Sequence, residues 1–357
     1  MPLNLQKNYK TSPQAVVDGL AKAGLIIGHS PQLSKDPVIT AIAADSRKAS
    51  SQTAFVAYQG VTTDLHEFIP KVSKTGCPLI IGERPPADVG HPASYLQVID
   101  ARRAWALANG TLFGYPQEHL KIAAISGTNG KTSTVWMIRE LLRAAGHRSL
   151  AIGTLGAYIG DDFYPTTHTT PDPPEFYAFL AKAVEDGVKY CALEASSHAA
   201  VQGKLQPLVF DYFAITSFSR DHLDFHKTEA AYWQAKWSYV ESNCSQSTRV
   251  ALGPSAWAHH KLAPEQSDFW FYGPSLPEGK ELPAQTLRYT TTSSATSLSC
   301  LTVDRQLTDR HHRDTGEIGL FGGFALENFS AALLAFEKLT GQWANTKIWS
   351  TVCPVPG

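Results

Sequence analysis

The sequence predicts an α/β protein with a small N-terminal domain and a larger, mostly parallel sheet covered by helices on both faces. The first observation is length, because 357 residues are too many for one ordinary core. The second is the alternation of short apolar runs with helical patterns, which is typical of parallel strands joined by helices. The third is a glycine turn at Gly127 to Thr132, between an apolar strand and a helix.

The first region of the chain, from about Val38 to Ile99, alternates short apolar runs with polar turns, as a small α/β domain does. Its clearest strand candidates are Ala54 to Ala57 and Pro78 to Ile81. Ala101 to Phe113 then has a helical pattern. We therefore expect a small N-terminal α/β domain over residues 1–115.

The second region, residues 116–350, carries the strands of the larger sheet. Its buried-strand candidates are Lys121 to Ser126, Ser149 to Thr154, Lys189 to Glu194, Tyr212 to Thr216 and Arg249 to Leu252. A later helix is expected over Glu327 to Leu339, and the Ser/Thr-rich stretch from Leu282 to Ser299 indicates edge strands or a surface loop. In such sheets, ligands bind beyond the carboxyl ends of the strands.

The glycine turn has the features of a triphosphate cradle. Gly127 and Gly130 allow the backbone to approach phosphate oxygens and to adopt the φ angles that this requires. A helix that begins near Lys131 directs its free N–H groups and its positive dipole end at the same anion. Lys131 would neutralise phosphate charge, and the Thr132 hydroxyl would hold Mg²⁺. The alternative is a tight strand-to-helix turn with an incidental lysine and threonine.

Two polar clusters follow neighbouring strand candidates. Glu194 ends one strand, where a carboxylate can bind Mg²⁺ or, alternatively, cap the next helix. Residues 221–226 (DHLDFH) place two carboxylates and two imidazoles close together. A zinc site is possible, but without thiolates or a HExxH helix a hard-metal and phosphate site fits better. The alternative is a polar loop whose histidines bond to backbone carbonyls.

The composition argues against several classes of protein. A hydrophobic content of 43% with 18% charged residues fits a soluble globular protein. A net charge of −1 gives no electrostatic footprint for nucleic acid or an anionic membrane. We find no signal-peptide core and no stretch of transmembrane length, so a cytoplasmic protein without membrane insertion is expected. The 5 cysteines lack CxxC spacing, which indicates buried free thiols.

Five motifs occur in the order and spacing of the Mur ligases. They are GTNGKTST from Gly127, Thr169-Thr-Pro171, Glu194-Ala-Ser-Ser-His198, Ser219-Arg-Asp-His-Leu-Asp224 and Tyr232-Trp-Gln-Ala-Lys236-Trp237. Within that family the chain most resembles the MurE type, the UDP-N-acetylmuramoyl-L-alanyl-D-glutamate:diamino-acid ligases of peptidoglycan synthesis. Asp45-Ser-Arg47 is similar to the uridine-binding first domain of the family. The resemblance covers nearly the whole chain.

The resemblance implies an ATP-dependent amide ligase. The γ-phosphoryl group passes to the terminal carboxylate of a UDP-MurNAc-peptide, and the amine of meso-diaminopimelate or L-lysine attacks the acyl phosphate. Cationic charge must offset the repulsion between the two anions, which gives Lys131 and two Mg²⁺ ions their roles. In family terms Thr132 and Glu194 ligate magnesium, and His222 serves the second ion.

Lys236 matches a family lysine that CO₂ carbamylates, and the resulting carbamate helps to organise the second metal site. Carbamate formation requires the neutral amine, so a depressed lysine pKa is expected. On the alternative view, Lys236 is a surface cation beside Trp233 and Trp237, with its stem on apolar surface.

The resemblance also implies the remaining ligand contacts. The nucleotide candidates are Gly127, Thr128, Asn129, Gly130, Lys131, Thr132, Ser133 and Asn328. The substrate candidates are Ser46, Thr169, Thr170, Ser196, Gln202 and Lys204. Asn328 matches an asparagine beside the adenine, although an asparagine at a helix start is otherwise a cap. Lys204 replaces the usual arginine, so a bidentate contact becomes a point charge. Ala325 and the Gly253-Pro-Ser255 segment also depart from the family pattern on the adenine side.

The end of the sequence, residues 351–357, resembles the hinge that leads into a C-terminal, Rossmann-like ligase domain in relatives. We expect that domain to be absent, and the chain alone to be a monomer that binds ATP and the UDP-substrate but ligates poorly. The added diamino acid cannot be read from this sequence. The alternatives are a MurF-, cyanophycin-synthetase- or folylpolyglutamate-synthetase-like ligase, and a non-catalytic nucleotide-binding scaffold.

Overall fold

The structure of the chain is a computed structural model. It describes residues 9–28, 37–60, 63–260, 269–274, 285–293, 299–306, 311–320, 322–349 and 351–352. The chain divides into two compact units. The first comprises Met1–His119, Pro171–Glu185 and Gln202–Pro207, and the second comprises Leu120–Thr170, Asp186–Val201 and Leu208–Gly357. The domain assignment to residues 1–115, 116–350 and 351–357 stays a prediction.

The first unit contains a parallel sheet of four short strands in sequential order. The strands are β1 (Ala41–Ala43), β2 (Thr53–Val56), β3 (Ile80–Gly82) and β4 (Tyr95–Gln97). Its helices are α1 (Pro13–Lys22), α2 (Ile69–Ser73), α3 (Ala101–Leu112) and α5 (Pro173–Glu185). The apolar runs form the strands because they are buried on both faces; Phe55 and Val56 are fully inaccessible. The small α/β domain is confirmed.

The second unit is built on an eleven-stranded sheet in the order β15-β14-β13-β12-β11-β10-β5-β9-β6-β7-β8. The strands are β5 (Lys121–Ser126), β6 (Ser149–Gly153), β7 (Gly156–Ile159), β8 (Asp162–Tyr164), β9 (Tyr190–Glu194), β10 (Phe210–Ile215), β11 (Cys244–Leu252), β12 (Phe269–Gly273), β13 (Thr286–Ser293), β14 (Ser299–Gln306) and β15 (His311–Ile318). The central strands are parallel, and hairpins extend both edges. The mostly parallel sheet is confirmed. The Ser/Thr-rich stretch expected to form edge strands contributes β13, which pairs with β12 and β14 and so lies two strands from the edge.

Helices cover both faces of this sheet. They are α4 (Lys131–Ala144), α6 (Ser197–Val201), α7 (Leu223–His226), α8 (Glu229–Asn243), α9 (Pro254–His260), α10 (Gly323–Thr340) and α11 (Thr346–Trp349). The apolar sides of α4 and α10 share one core with Tyr212 of β10. On the opposite face, the ring of Phe213 packs 5.8 Å from that of Tyr239 on α8. The alternation of side chains along β10 thus feeds two cores.

Strand pairing brings the polar strand ends together. β5 lies between β9 and β10, with Ile125 in register with Glu194 and Ser126 in register with Ile215. The carboxyl ends of these three strands therefore meet at one edge, where the glycine turn follows β5.

Two expectations need correction or restriction. Helix α10 begins at Gly323 rather than near Glu327, because Gly322 is its N-cap and the helix includes the residues from Gly323 onward. The hinge-like residues 354–357 lie outside the described residues. In the part of the chain that the structure describes, no helix combines the length and apolar character needed to cross a membrane.

Candidate active site

The phosphate loop, residues 127–133, needs glycine at two positions. Gly127 has φ 141° and Gly130 has φ 87°, a region that side chains with a Cβ rarely adopt. A Cβ added at Gly127 would lie 2.0 Å from Thr216 Oγ1, and one added at Gly130 would lie 2.3 Å from Asn328 Oδ1. The conformation of the loop therefore depends on these two glycines, which leave room for the side chains of Thr216 and Asn328.

Part of the phosphate loop is already bonded to the loop after β10. The Thr128 N–H donates to the Ser217 carbonyl and the Asn129 N–H donates to Ser217 Oγ, both at 2.9 Å. The Thr216 hydroxyl donates to the Asn129 carbonyl at 2.5 Å. The backbone donors left for an anion are those at the start of α4, whose N-cap is Gly130 and has no side chain to cap them. The N-terminus of α4 is therefore a ready anion site.

Two lysines converge on one carbonyl of this loop. Lys131 Nζ and Lys236 Nζ each donate to the Gly127 carbonyl at 2.9 Å, and Lys131 also donates to the Thr128 carbonyl at 2.9 Å. Lys236 is 1% exposed, and its ammonium lies 4.3 Å from the centre of the Tyr232 ring. The view of Lys236 as a surface cation is therefore wrong.

The electrostatics of the two lysines follow from their burial. Desolvation lowers the pKa of Lys131, although Glu194 and Asp221 oppose the shift. Desolvation, reinforced by the nearby charge of Lys131, holds the pKa of Lys236 well below its ordinary value. The neutral amine of Lys236 is thus favoured far more than in an exposed lysine.

Glu194 is the buried carboxylate of the site, with 1% of its surface exposed. It accepts the Thr154 N–H at 2.7 Å, the Thr154 hydroxyl at 3.2 Å and a hydrogen bond from the Thr132 hydroxyl. Burial raises its pKa, while these hydrogen bonds and Lys131 counteract the rise. A Cβ at Gly153 would lie 2.1 Å from Glu194 Oε1, so this glycine makes room for the carboxylate.

The substrate candidates Thr169, Thr170 and Ser196 gather around Glu194. The Thr170 hydroxyl donates to the Glu194 carbonyl at 2.8 Å and lies 3.2 Å from Ser196 Oγ. Ser196 Oγ also accepts the Ala199 N–H at 3.2 Å, at the start of α6. Thr169 Oγ1 lies 3.2 Å from Thr154 Oγ1. Two motifs and Thr154, all far apart in sequence, thus form one polar cluster.

The histidines of the 221–226 segment lie in a cluster of rings beside the phosphate loop. The His222 ring centre is 5.1 Å from that of His198 and 5.8 Å from that of Tyr232, whose hydroxyl bonds Thr128 Oγ1 at 3.3 Å. His226 Nε2 lies 3.0 Å from Ser197 Oγ, and burial lowers the pKa of His226. The rings of His222 and His226 thus contact other side chains, whereas the polar-loop alternative expected them to bond to backbone carbonyls.

The remaining candidates lie at two other places. Asn328 is on the second turn of α10 with its amide against Gly130, so it is not a helix cap. Ser46, Gln202 and Lys204 belong to the first unit. Lys204 Nζ is 2.8 Å from Asp172 Oδ1.

Sequence reasoning missed Gly153, Thr154, Thr216 and Ser217. The signal was present for all four, because each lies at or just after the carboxyl end of a strand in the parallel part of the sheet. Their contacts with Glu194 and the phosphate loop join residues 40 to about 90 positions apart, as Thr154 to Glu194 and Asn129 to Ser217 show.

The fold is an α/β domain in which a glycine turn and an uncapped helix N-terminus follow a parallel strand, an arrangement that suits the binding of an anion. A family model described as the Mur ligase middle domain matches residues 125–336. The chain therefore belongs to the Mur ligase family, and the resemblance seen in the five motifs is confirmed.

Similar proteins point to one type within the family. The chain is 36% identical over 208 residues to a UDP-N-acetylmuramoyl-L-alanyl-D-glutamate–2,6-diaminopimelate ligase of Bacteroides fragilis, covering 58% of this chain and 43% of that protein. It is 38% identical over 202 residues to the ligase of the same name from Bacillus cereus, covering 57% and 40%. A solved structure of a ligase with this name superposes with a TM-score of 0.76 at 24% identity, covering 98% of this chain and 68% of that one. The chain thus spans less than half the length of the curated relatives that it matches.

Proposed function

We propose that the protein is an ATP-dependent ligase that joins a diamino acid to UDP-N-acetylmuramoyl-L-alanyl-D-glutamate in peptidoglycan precursor synthesis. The observation that carries the proposal is the uncapped N-terminus of α4, with Lys131 and the buried Lys236 on the Gly127 carbonyl and the Glu194 carboxylate beside it. The names of the relatives favour 2,6-diaminopimelate over lysine as the added amine. A cytoplasmic, monomeric enzyme stays a prediction.

The phosphate loop would bind the triphosphate through backbone N–H groups that point at it and through positive charge. The free N–H groups at the start of α4 face the anion, and the helix dipole favours negative charge there. Lys131 would exchange its bonds to the Gly127 and Thr128 carbonyls for phosphate oxygens. Burial lowers the pKa of Lys131 in the free protein, and an incoming polyanion would oppose that shift by favouring the charged ammonium.

The donor set suits Mg²⁺ rather than zinc. Within the described ranges, no group of three or more His, Cys, Asp or Glu side chains could hold a metal. Mg²⁺ is commonly bound by one or two carboxylates together with phosphate oxygens and waters, and Thr132 and Glu194 offer oxygen donors. Thr132, Glu194, His222 and a modified Lys236 would hold the two ions. When bound, Mg²⁺ would neutralise charge that develops on the transferred phosphoryl group.

Lys236 has the environment that carbamylation requires. CO₂ reacts with the neutral amine, and burial together with Lys131 favours that form. Its ammonium position on the Gly127 carbonyl puts the modified group beside the phosphate loop. The modification would replace the second of the two lysine cations by an anion that can share a metal with His222.

The polar surface around Glu194 would hold the peptide end of the UDP-substrate. Thr169, Thr170 and Ser196 provide hydroxyl groups, which suit a ligand rich in carbonyl and amide groups. In the first unit, Ser46 would contact the uridine end, while Gln202 and Lys204 would contact the muramoyl peptide. Each of these assignments is a proposal from the family pattern.

Binding measurements on the chain test the proposal. Calorimetry with Mg²⁺ and a non-hydrolysable ATP analogue, and separately with UDP-MurNAc-L-Ala-D-Glu, should show saturable binding of both. Lys131→Met should weaken binding of the ATP analogue at least about tenfold, since a charge-assisted contact to phosphate is lost. Lys189→Met is the matched control, because this exposed lysine lies next to the amino end of β9, opposite Glu194. An equal loss of affinity in both variants, or no binding of either ligand to the wild type, would contradict the proposal.

A further inference from the structure

A cavity of about 310 Å³ lies at the carboxyl end of α4, in the second unit. Its charged and titratable lining residues are Arg139, Arg143, His147, Arg148, Asp161 and Asp162. Arg143 is twelve residues beyond Lys131, so this wall of the cavity is roughly 18 Å from the start of α4 along the helix axis. The cavity is large enough for a small molecule and is separate from the phosphate loop.

The base of the cavity is the buried guanidinium of Arg139, which is 6% exposed. Its Nη1 donates to Glu140 Oε1 at 2.5 Å, and its Nη2 donates to the Gly160 carbonyl at 2.9 Å. The group also lies 4.9 Å and 5.0 Å from the ring centres of Trp136 and Tyr158, which hold it in place. Among the described residues, Nε has no hydrogen-bond partner. Buried donors of this kind are rarely left unpaired, so we expect an acceptor from the contents of the cavity.

Two further guanidinium groups, those of Arg143 and Arg148, are more than half exposed at the cavity wall. Arg143 Nη2 donates to Glu140 Oε2 at 2.7 Å. Arg148 Nη1 donates to the Asp186 carbonyl at 3.2 Å, while its Nη2 is 3.9 Å from Asp186 Oδ2, too far for a hydrogen bond. Gly160 makes room for this group, because a Cβ there would lie 2.9 Å from Arg148 Nε. A guanidinium has five N–H donors, so each of the two arginines can also bind a carboxylate.

The balance of charge indicates what class of ligand the cavity suits. Against its three arginines stand the lining carboxylates Asp161 and Asp162, together with Glu140. Asp186 adds a fourth carboxylate behind Arg148. The site therefore has no excess of positive charge, and a simple anion would gain little from it. A ligand that carries both signs of charge is complementary to such a wall.

We propose that this cavity binds an acidic α-amino acid. The two carboxylates of the ligand bond to Arg143 and Arg148, and its ammonium group bonds to the carboxylates of Asp161 and Asp162. Asp161 is 88% exposed, so its side chain is free of the packing that would fix it away from a ligand. The inference does not depend on the proposed function, because none of these side chains belongs to the phosphate loop.

Calorimetry with three small probes tests the charge pattern of the ligand. The probes are L-glutamate, glutarate, which has the two carboxylates but no ammonium, and L-lysine, which has a single carboxylate. The wild type should bind L-glutamate at least about tenfold more tightly than either of the others, since each lacks one charge-assisted contact.

Variants locate the binding of L-glutamate. Arg148→Met should weaken it at least about tenfold, and Arg148→Lys should give an intermediate loss, because lysine keeps the charge without the planar fork. The double variant Asp161→Asn, Asp162→Asn should bind L-glutamate and glutarate with similar affinity, because the partners of the ammonium group are gone. Arg313→Met is the matched control, since this arginine is also exposed but lies on β15, at the opposite edge of the sheet from β8.

The contrary outcomes are distinct. Equal affinity of the wild type for L-glutamate and glutarate would reveal a general anion site and overturn the proposal. It would also be overturned if no probe binds, or if Arg148→Met loses no more affinity than Arg313→Met. Thermal unfolding followed by circular dichroism checks that each variant is folded. If Arg148→Met is not, Arg148→Lys and the double aspartate variant still decide. Nucleotide binding at the phosphate loop is a separate measurement, so failure here leaves the proposed function intact.

Discussion

Replacing Gly130 by alanine tests whether the phosphate loop is built as the coordinates indicate. Gly130 has φ 87°, and holding an alanine there costs about 1 kcal/mol relative to glycine. The added Cβ would also lie 2.3 Å from Asn328 Oδ1, so the side chain or the loop must shift. Overpacking of this kind costs about 1–2 kcal/mol more. We expect Gly130→Ala to lower the free energy of unfolding by about 2–3 kcal/mol.

The chain provides a matched control at the other end of α4. Gly146 has φ 79°, and no atom lies within 4 Å of a Cβ added there. Gly146→Ala should therefore show only the backbone cost of about 1 kcal/mol. The difference between the two variants isolates the contact with Asn328. In the double variant Gly130→Ala, Asn328→Ala, part of the lost stability should be recovered, because the clashing amide is gone.

Denaturant unfolding with and without Mg·ATP provides the assay. Gly130→Ala should also weaken nucleotide binding about tenfold or more, because displacing one positioned group of the anion site costs over about 1.4 kcal/mol. Gly146→Ala should bind the nucleotide as the wild type does. Equal unfolding free energies and equal affinities for the two variants would refute the proposed loop geometry.

Three further outcomes are expected from the same site. Lys236 should take up ¹³CO₂ increasingly as the pH rises through its lowered pKa, because only the neutral amine reacts; the ¹³C NMR signal should be missing in Lys236→Met, and a signal retained there would place the carbamate elsewhere. Glu194→Gln should weaken Mg²⁺-dependent nucleotide binding about tenfold. It should also remove a loss of binding that the wild type shows on acidification, which should start at higher pH than for an ordinary glutamate because burial raises this pKa; an unchanged pH profile in Glu194→Gln would count against it as a ligand. Lys204→Arg should tighten UDP-MurNAc-dipeptide binding severalfold without changing UDP binding, and calorimetry that shows equal gains for both ligands would contradict a peptide-carboxylate contact.

The sequence predicted the frame of the site because local signals specify it. The apolar run of β5, the two loop glycines and the start of α4 lie within a short stretch, so strand, turn and helix could all be read there. The parallel order of the strands then implied that Glu194 would lie near this turn. Both features depend on patterns that short segments carry by themselves.

The contacts around the site could not be read, because they join distant segments. Nothing local shows that Gly153 makes room for Glu194, or that the loop after β10 uses the N–H groups of Thr128 and Asn129. Lys236 illustrates the same limit, since a lysine on a helix normally faces water. Only the packing of α8 against the phosphate loop leaves it 1% exposed.

The most direct measurement is a crystal structure of the chain with Mg²⁺ and a non-hydrolysable ATP analogue. We expect the β- and γ-phosphates within hydrogen-bond distance of the backbone N–H groups at the start of α4 and of Lys131 Nζ, with Thr132 and Glu194 on the Mg²⁺ side. Phosphates bound elsewhere, with Lys131 still donating to the Gly127 carbonyl, would contradict the assignment of this loop as the nucleotide site.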